Sequence, residues 1–439
     1  MKFLPIFIFL SLMPLLGVAQ KPNIILIMAD DMGYETVGAN GGQSYKTPHL
    51  DRMASEGMRF TNCFANPLCT PSRVKIMTGQ YNTRNYVQFR VLDRGQRTFA
   101  HYLRDAGYRT VIAGKWQLGK EEDSAQHFGF EESLLWQHVR GARREGTKID
   151  SRHVNPRLER NGKAVDYDNG EFSSDVFVEF LGEFMTQHKD EPIFAYYPMV
   201  LPHCPFVPTP GTADFDAQSM GSKTYKGKVQ YFGAMVGHID KMVARLEAKL
   251  EELGIADNTM IVFTGDNGTD IPVKSQWSGR QIAAGKGKMT DEGMRVPLII
   301  KFPGKVEAGK VSDALVDLAD FLPTFTELAG VEHEAEIDGV SLLPELYGKG
   351  GRVKPYAYIW YEPKKGETAK ATVMARSKTH MLMRKGEDGE LVFYQTPKAY
   401  EKVVVPMSEM GEADRTRLKK LESVLERYDA LRGSSLRAQ

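Results

Sequence analysis

The run NIILIMA, residues 23 to 29, carries no charge and ends in two adjacent carboxylates, Asp30 and Asp31. A strand with no polar face has nothing to present to water. It must be covered on both sides, as parallel strands are when helices pack on each face of their sheet. The same design recurs along the chain. NTMIVFTGDNGTD reads as a strand ending in Asp266, Asn267 and Gly268, and PIFAYYPMVLPHCPF as a strand ending at His203. Met58–Phe64 follows the helical stretch TPHLDRMASEG, and the helical stretch TFAHYLRDAG leads into a strand through Val111–Ala113 that ends at Lys115. Residues 226 to 253 place Met235, Ile239, Met242, Val243, Leu246, Leu250 and Leu253 on one face of a long amphipathic helix. VPLIIKFPG and the helical DLADFLPTFTELAG complete the layer. The fold class is therefore α/β, a large central and mostly parallel sheet flanked by helices, with polar residues gathered past strand ends.

After about residue 335 the pattern changes. YAYIWYE, ATVMARS, HMLMRK and LVFYQ are short strands suited to antiparallel pairing, and residues 411 to 432 carry Leu418, Leu421, Leu425, Tyr428 and Leu431 on one helical face. The expected organisation is a large α/β domain over residues 20–335 and a smaller C-terminal α+β subdomain over 336–439. A chain of 439 residues can bury cores of that size. Residues 1–19 differ again: Lys2, an apolar run and Gly17-Val18-Ala19 form a secretory signal with a small-x-small cleavage site after Ala19. Gln20 at the new terminus excludes lipidation there, and the rest of the sequence has no membrane-spanning run. The expectation is an exported protein, periplasmic or secreted, free of the membrane after cleavage.

A net charge of +1 argues against a nucleic-acid partner, which would call for a basic surface. An anionic ligand would need local cations instead. Of three cysteines, Cys63, Cys69 and Cys204, an odd count leaves at least one without an internal partner, and spacing leaves a Cys63–Cys204 bridge open. Asp30, Asp31, Asp266 and Asn267 are four oxygen donors past strand ends, a set suited to a hard divalent cation. Calcium is preferred for its looser geometry, with magnesium the alternative. Arg73, Lys115 and Lys286 supply positive charge, with Lys288 the more ordinary loop residue of the same GKGKMT stretch. His203 offers a proton donor in the physiological range. In NPLCTPSRVKIMTGQ, Thr70 can cap a helix that begins at Pro71 and closes at Gly79. Cys69 then sits at the positive end of that helix, where anions bind and thiols acidify.

The order PNIILIMADDMG, TPHLDRMASEGMRFTNCFANPLCTPSR, TGQY, AGYRTVIAGKWQLG, LPHCPF, IVFTGDNG, GKGKMTDEGMRVPLII and DGVSLLP resembles the formylglycine-dependent sulfatases of the alkaline-phosphatase superfamily. The likeness runs from about residue 22 to 345. It implies that a separate maturation enzyme oxidises Cys69 to formylglycine. One hydroxyl of the hydrated aldehyde would attack sulfur and expel the alcohol. The other would lose its proton so that the sulfate ester collapses. The resemblance implies that Asp30, Asp31, Asp266, Asn267 and modified Cys69 surround the cation. It implies that Arg73 steadies the formylglycine, that Lys115 and Lys286 hold the sulfate, and that His203 with Lys286 serves the leaving oxygen. The implied partner is a sulfated small molecule or saccharide.

Two departures stand out. The family pattern Gly-Lys-Trp-His-Leu-Gly is here Gly-Lys-Trp-Gln-Leu-Gly, so Gln117 replaces a histidine associated with the second hydroxyl, and an amide is no base near neutral pH. Near the C-terminus LVFYQTPKAYEKVV stands in place of a Tyr-Asp-Leu…Asp-Pro…Glu stretch. Two other functions fit the same residues. One is a phosphate or phosphonate ester hydrolase. The other is a weakly catalytic binder of sulfated glycans, suggested by Gln117.

Overall fold

A computed structural model describes residues 20–333, 336–351, 354–362, 370–386 and 388–435. The expected signal segment, 1–19, lies outside them. In chain order the strands are β1 (Asn23–Ala29), β2 (Met58–Phe64), β3 (Arg109–Lys115), β4 (Glu132–Trp136), β5 (Arg157–Arg160), β6 (Lys163–Asp166), β7 (Ile193–Pro198), β8 (Thr259–Gly265), β9 (Lys274–Trp277), β10 (Arg280–Ala283), β11 (Leu298–Lys301), β12 (Lys310–Asp317), β13 (Ala357–Tyr361), β14 (Thr372–Arg376), β15 (His380–Lys385), β16 (Leu391–Gln395) and β17 (Val403–Val404). The main sheet has ten strands in the order β12-β2-β11-β8-β1-β7-β3-β4-β5-β6. Its centre, β8-β1-β7-β3-β4, is parallel throughout. Strand β11 enters antiparallel to both neighbours, and β5 and β6 add an antiparallel edge.

Strand β1 lies between β7 and β8, with Leu26 opposite Tyr196 on one side and Val262 on the other. Its alternate residues feed two cores. Ile25, Ile27 and Ala29 join Leu50, Met53, Phe177, Leu181, Met235, Ile239 and Met242. Those side chains come from the helices Pro48–Glu56, Ser173–Gln187 and Phe232–Glu252. Ile24, Leu26 and Met28 join Val74, Ile76, Phe99, Leu103, Phe321 and Phe325, carried by the helices Cys69–Thr78, Phe99–Asp105 and Phe321–Ala329. Each fully buried aliphatic side chain contributes about 1.5–3 kcal/mol over its exposed state, so a charge anywhere in β1 would damage one core or the other.

The second sheet, β13-β14-β15-β16-β17, is antiparallel from end to end. One face, with Tyr358, Trp360, Val373, Ala375, Leu382 and Phe393, packs on Leu418, Leu421, Leu425 and Tyr428 of the helix Glu412–Ser435. The other face, with Ala357, Ile359, Met374 and Met381, packs on Phe64, Met294 and Leu315 of the main domain. Among the described residues no helix is long and apolar enough to cross a membrane.

Three local expectations change. Strand β7 ends at Pro198, so His203 sits five residues further on, in a loop tied back to β1 by the Asp30 N–H to Leu201 carbonyl bond (2.9 Å). The helix after the CTPSR segment begins at Cys69, with Leu68 rather than Thr70 in the cap position. The Thr70 hydroxyl is instead committed to Gln117 Oε1 at 3.3 Å, a tertiary contact that local capping rules do not see. Gly79 does close this helix in the left-handed conformation, φ 67°. Cys63 and Cys204 are free and buried in cores on opposite faces of the sheet, so they form no bridge.

Candidate active site

Because β1 and β8 are adjacent and parallel, with Ala29 opposite Gly265, their two polar endings meet. The Asp31 N–H donates to Asp266 Oδ1 (3.0 Å), and Asn267 Nδ2 donates to Asp31 Oδ1 (2.8 Å). Asp31 holds φ 68°, a left-handed backbone that turns its carboxylate into this cluster. Gly268 lets the loop pass Glu292: a Cβ there would lie 1.9 Å from the Glu292 carbonyl oxygen.

Cations surround these carboxylates. Lys115, the last residue of β3, bonds Asp30 Oδ2 at 2.7 Å. Arg73, one turn into the Cys69–Thr78 helix, donates to Asp266 Oδ2 (3.1 Å) and to the Lys115 carbonyl (3.0 Å). Lys286 reaches Asp31 Oδ2 at 2.6 Å, and His203 Nε2 lies 3.6 Å from the same oxygen. Lys288 is exposed, as expected of the ordinary loop residue. Cys69 Sγ donates to Gln117 Oε1 at 3.0 Å. All ten residues singled out from the sequence thus fall in one buried cluster at the C-terminal end of the parallel strands.

The electrostatics are uneven. Burial would raise the Asp30 carboxyl, but Lys115, His203, Arg73 and Lys286 outweigh it and hold it far below the usual range. Burial, then the neighbouring Asp30, pushes Asp266 up to about 8, and burial raises Asp31 as well. Three carboxylates therefore crowd one dry space, and burial raises two of them although Lys115, Arg73 and Lys286 stand against the three. Asp30 Oδ1 and Asn267 Oδ1 are buried acceptors without a hydrogen-bond partner. Asp30, Asp31 and His203 present ligand atoms within 4.8 Å of one another, as do Asp30, Cys69 and Asp266. Orphaned oxygen acceptors and closely crowded carboxylates are what a hard divalent cation relieves.

Two chemical expectations reverse. Burial, followed by Asp30 and Asp266, raises the Cys69 thiol above its ordinary value despite the helix end and Lys115, so the unmodified residue is a poor nucleophile near neutral pH. Burial, then Lys286, drives His203 well below 6.5, so the ring is neutral rather than a titrating acid. Arg152 NH1 lies 2.6 Å from His203 Nδ1, and a guanidinium can only donate. The carbonyl of Cys204, 2.5 Å from the same nitrogen, would favour a proton there, but the fixed donor on Arg152 excludes it. The assigned tautomer carries its proton on Nε2, facing Asp31.

Arg152 was not singled out from sequence. It is buried, forked onto Asp150 (3.1 and 2.9 Å) and stacked over Trp136 at 4.3 Å. A second missed group links the site to the small sheet. Tyr400 OH donates to Glu35 Oε2 (2.9 Å), Thr269 Oγ1 to Glu35 Oε1 (2.5 Å) and the Gly33 N–H to Thr269 Oγ1 (3.1 Å). The unfamiliar stretch around LVFYQTPKAYEKVV therefore braces the loops after β1 and β8. The nearest sequence signal was that departure itself.

The family model described as Sulfatase matches residues 22–331. The chain belongs to the sulfatase family. A second model, N-sulphoglucosamine sulphohydrolase, C-terminal, matches residues 284–405. This sulfatase is 30% identical over 394 residues to N-acetylgalactosamine-6-sulfatase of Mus musculus, covering 83% of this chain and 73% of that one. It is 32% identical over 364 residues to arylsulfatase A of Bos taurus, covering 76% and 69%. Its fold matches Ps i-CgsB in complex with k-i-k-neocarrahexaose, with TM-score 0.77, 24% identity and coverage of 95% and 94%. It also matches the phosphonate monoester hydrolase of Agrobacterium radiobacter, with TM-score 0.68, 21% identity and coverage of 94% and 96%.

Proposed function

We propose that this sulfatase is exported and removes sulfate from a sulfated saccharide, through formylglycine made from Cys69 by a maturation enzyme and with one divalent cation, calcium by preference. The observation that carries the reading is the buried thiol at the head of the Cys69–Thr78 helix, set against three carboxylates and four cationic side chains or hydrogen-bond donors. A saccharide is supported by the names of the relatives, one an N-acetylgalactosamine-6-sulfatase and another a neighbour crystallised with a neocarrahexaose.

Asp30, Asp31, Asp266 and Asn267 would hold the cation, which supplies positive charge beside residue 69. Formylglycine there supplies a hydrated aldehyde, one hydroxyl for attack on sulfur and one for release of sulfate. The remaining work falls to residues already in place. Lys115 and Lys286 neutralise sulfuryl oxygens, and burial strengthens that attraction. Burial would lower Lys286, but the Asp31 carboxylate and the acidic groups around it raise it well above its ordinary pKa and keep it an ammonium. Lys286 and His203 both reach one oxygen of Asp31, so two N–H donors lie side by side, and the pair would serve a leaving oxygen. Arg73 fixes Asp266 from inside the helix. Gln117 orients the group at residue 69 by accepting its hydrogen bond.

The test is desulfation of a panel of defined sulfated saccharides, with paired sulfate and phosphonate esters of one alcohol alongside. Sulfate release from a saccharide, abolished by chelation and restored by calcium, is expected. Faster hydrolysis of the phosphonate would favour the second reading, which the Agrobacterium radiobacter hydrolase keeps open on this scaffold. Stoichiometric labelling without turnover would favour a glycan binder.

A further inference from the structure

A cavity of about 620 Å³ begins at Gln117, walled by the chain at 87–94 and by the loops leaving β3 and β4. Gln117 is common to the two spaces: it lines the cavity, and its Oε1 takes the Cys69 hydrogen bond. The cavity therefore starts one side chain from the reacting centre, and its volume falls in the range of small-ligand sites.

Its lining is cationic. Arg90, Arg94, Lys120 and Arg140 face only Asp93 and Glu121. Arg94 is spent on Asp123 (2.8 and 3.1 Å), and Arg140 on Glu159 (3.1 Å) and Asp166 (2.7 Å). Arg90 and Lys120 are exposed, and among the described residues neither side-chain charge has an ion pair or hydrogen bond. Two uncommitted cations lining one concave space attract an anion.

Two further observations point the same way. Arg90 (φ 71°), Gln117 (φ 58°) and Gln137 (φ 57°) are all left-handed non-glycine residues, and all line this cavity. Such strain collects where side-chain direction serves a ligand. Phe89 keeps 45% of its surface exposed beside buried Leu92, an apolar wall suited to the carbon face of a pyranose ring.

We infer that this cavity holds the alcohol side of the substrate and that Arg90 and Lys120 bind a second acidic group on it, a sulfate or a carboxylate. The substrate class is then a saccharide with at least two anionic groups. The inference rests on the sulfate-ester reading above, and its test separates the two. By titration calorimetry, unmodified protein receives a neutral disaccharide, its monosulfated form and its uronate form. Binding of an acidic form at least tenfold tighter than the neutral one is expected, weakened by salt and erased in Arg90→Ala/Lys120→Ala. The tighter of the two acidic forms names the group. In turnover, the double variant should lose at least tenfold more kcat/KM on a disulfated disaccharide than on a small aryl sulfate. Equal affinity for neutral and acidic forms, or equal losses on both substrates in a variant of unchanged melting temperature, overturns the inference. A wild type that cleaves no sulfate ester while still showing the acidic preference would instead sink the functional reading and leave the cavity's role standing.

Discussion

Asp291 ties the five-stranded sheet to the main domain, and its replacement tests how that sheet is held. Its Oδ1 accepts from Arg376 NH1 of β14 (2.7 Å), and its Oδ2 accepts from Arg295 Nε (2.8 Å) and the Tyr400 N–H (3.1 Å). The side chains are 10% exposed for Asp291, 4% for Arg295 and 1% for Arg376, so solvent screens them little. The Arg376 guanidinium also lies 3.6 Å from the centre of the Phe64 ring. Asp291→Asn keeps the shape but leaves two buried guanidiniums without a counter-charge. Breaking a buried pair from one side costs about 3–5 kcal/mol. Arg295 retains a bond to Asn62 Oδ1 (3.1 Å), which places the expected loss near the lower end, about 3 kcal/mol. Urea unfolding followed by tryptophan fluorescence reads it, since Trp277 packs on Tyr400 and Trp360 lies in the docked sheet.

The pH dependence gives a sharper check. Burial alone would raise the Asp291 carboxyl, but Arg295 and Arg376 hold it far below 3.8. A depressed carboxyl adds stability that is fully present above its unfolded pKa of about 3.9 and is lost as pH falls toward the folded value. The gap between wild type and Asp291→Asn should stay constant above about pH 5 and shrink below about pH 4. Adding Arg376→Met to Asp291→Asn should recover part of the loss. A gap under about 0.5 kcal/mol, the range of an inert surface change, or one that widens in acid, would refute this account of docking.

Gln117→Ala should slow release of the sulfated enzyme more than its formation, giving a larger burst and a slower steady rate in pre-steady-state kinetics; unchanged phases would leave Gln117 a role in shape alone. Alanine at Lys286 or His203 should lower kcat/KM, measured on the folded fraction, by about 10²-fold or more, as loss of a transition-state donor does. Arg152→Met should lower kcat while sparing affinity for a product sulfate, because it releases the orientation of His203 without removing its donor; an equal loss in both would make Arg152 merely structural.

Strand β1 was legible because seven uncharged residues admit only two covered faces, and the small sheet because its residues alternate between a helix and the main domain. The carboxylate pairs were legible because strand ends of a parallel sheet share one edge. What the sequence hid was tertiary. Thr70 looks like a cap until Gln117, 47 residues away, takes its hydroxyl. Cys69 looks acidified by its helix end until Asp30 and Asp266 crowd it in a buried space. Arg152 carries no motif at all. It matters because the chain folds it onto His203, 51 residues further on.

The most direct test follows the peptide containing residue 69 by mass spectrometry while specific activity on a sulfate ester is measured in the same samples. Preparations made with varying amounts of maturation enzyme supply the range. Activity should rise in proportion to the fraction of peptide that has lost sulfur and two hydrogens and gained oxygen, and should be absent where only thiol is present. Full activity in a preparation containing only the Cys69 thiol would contradict the account.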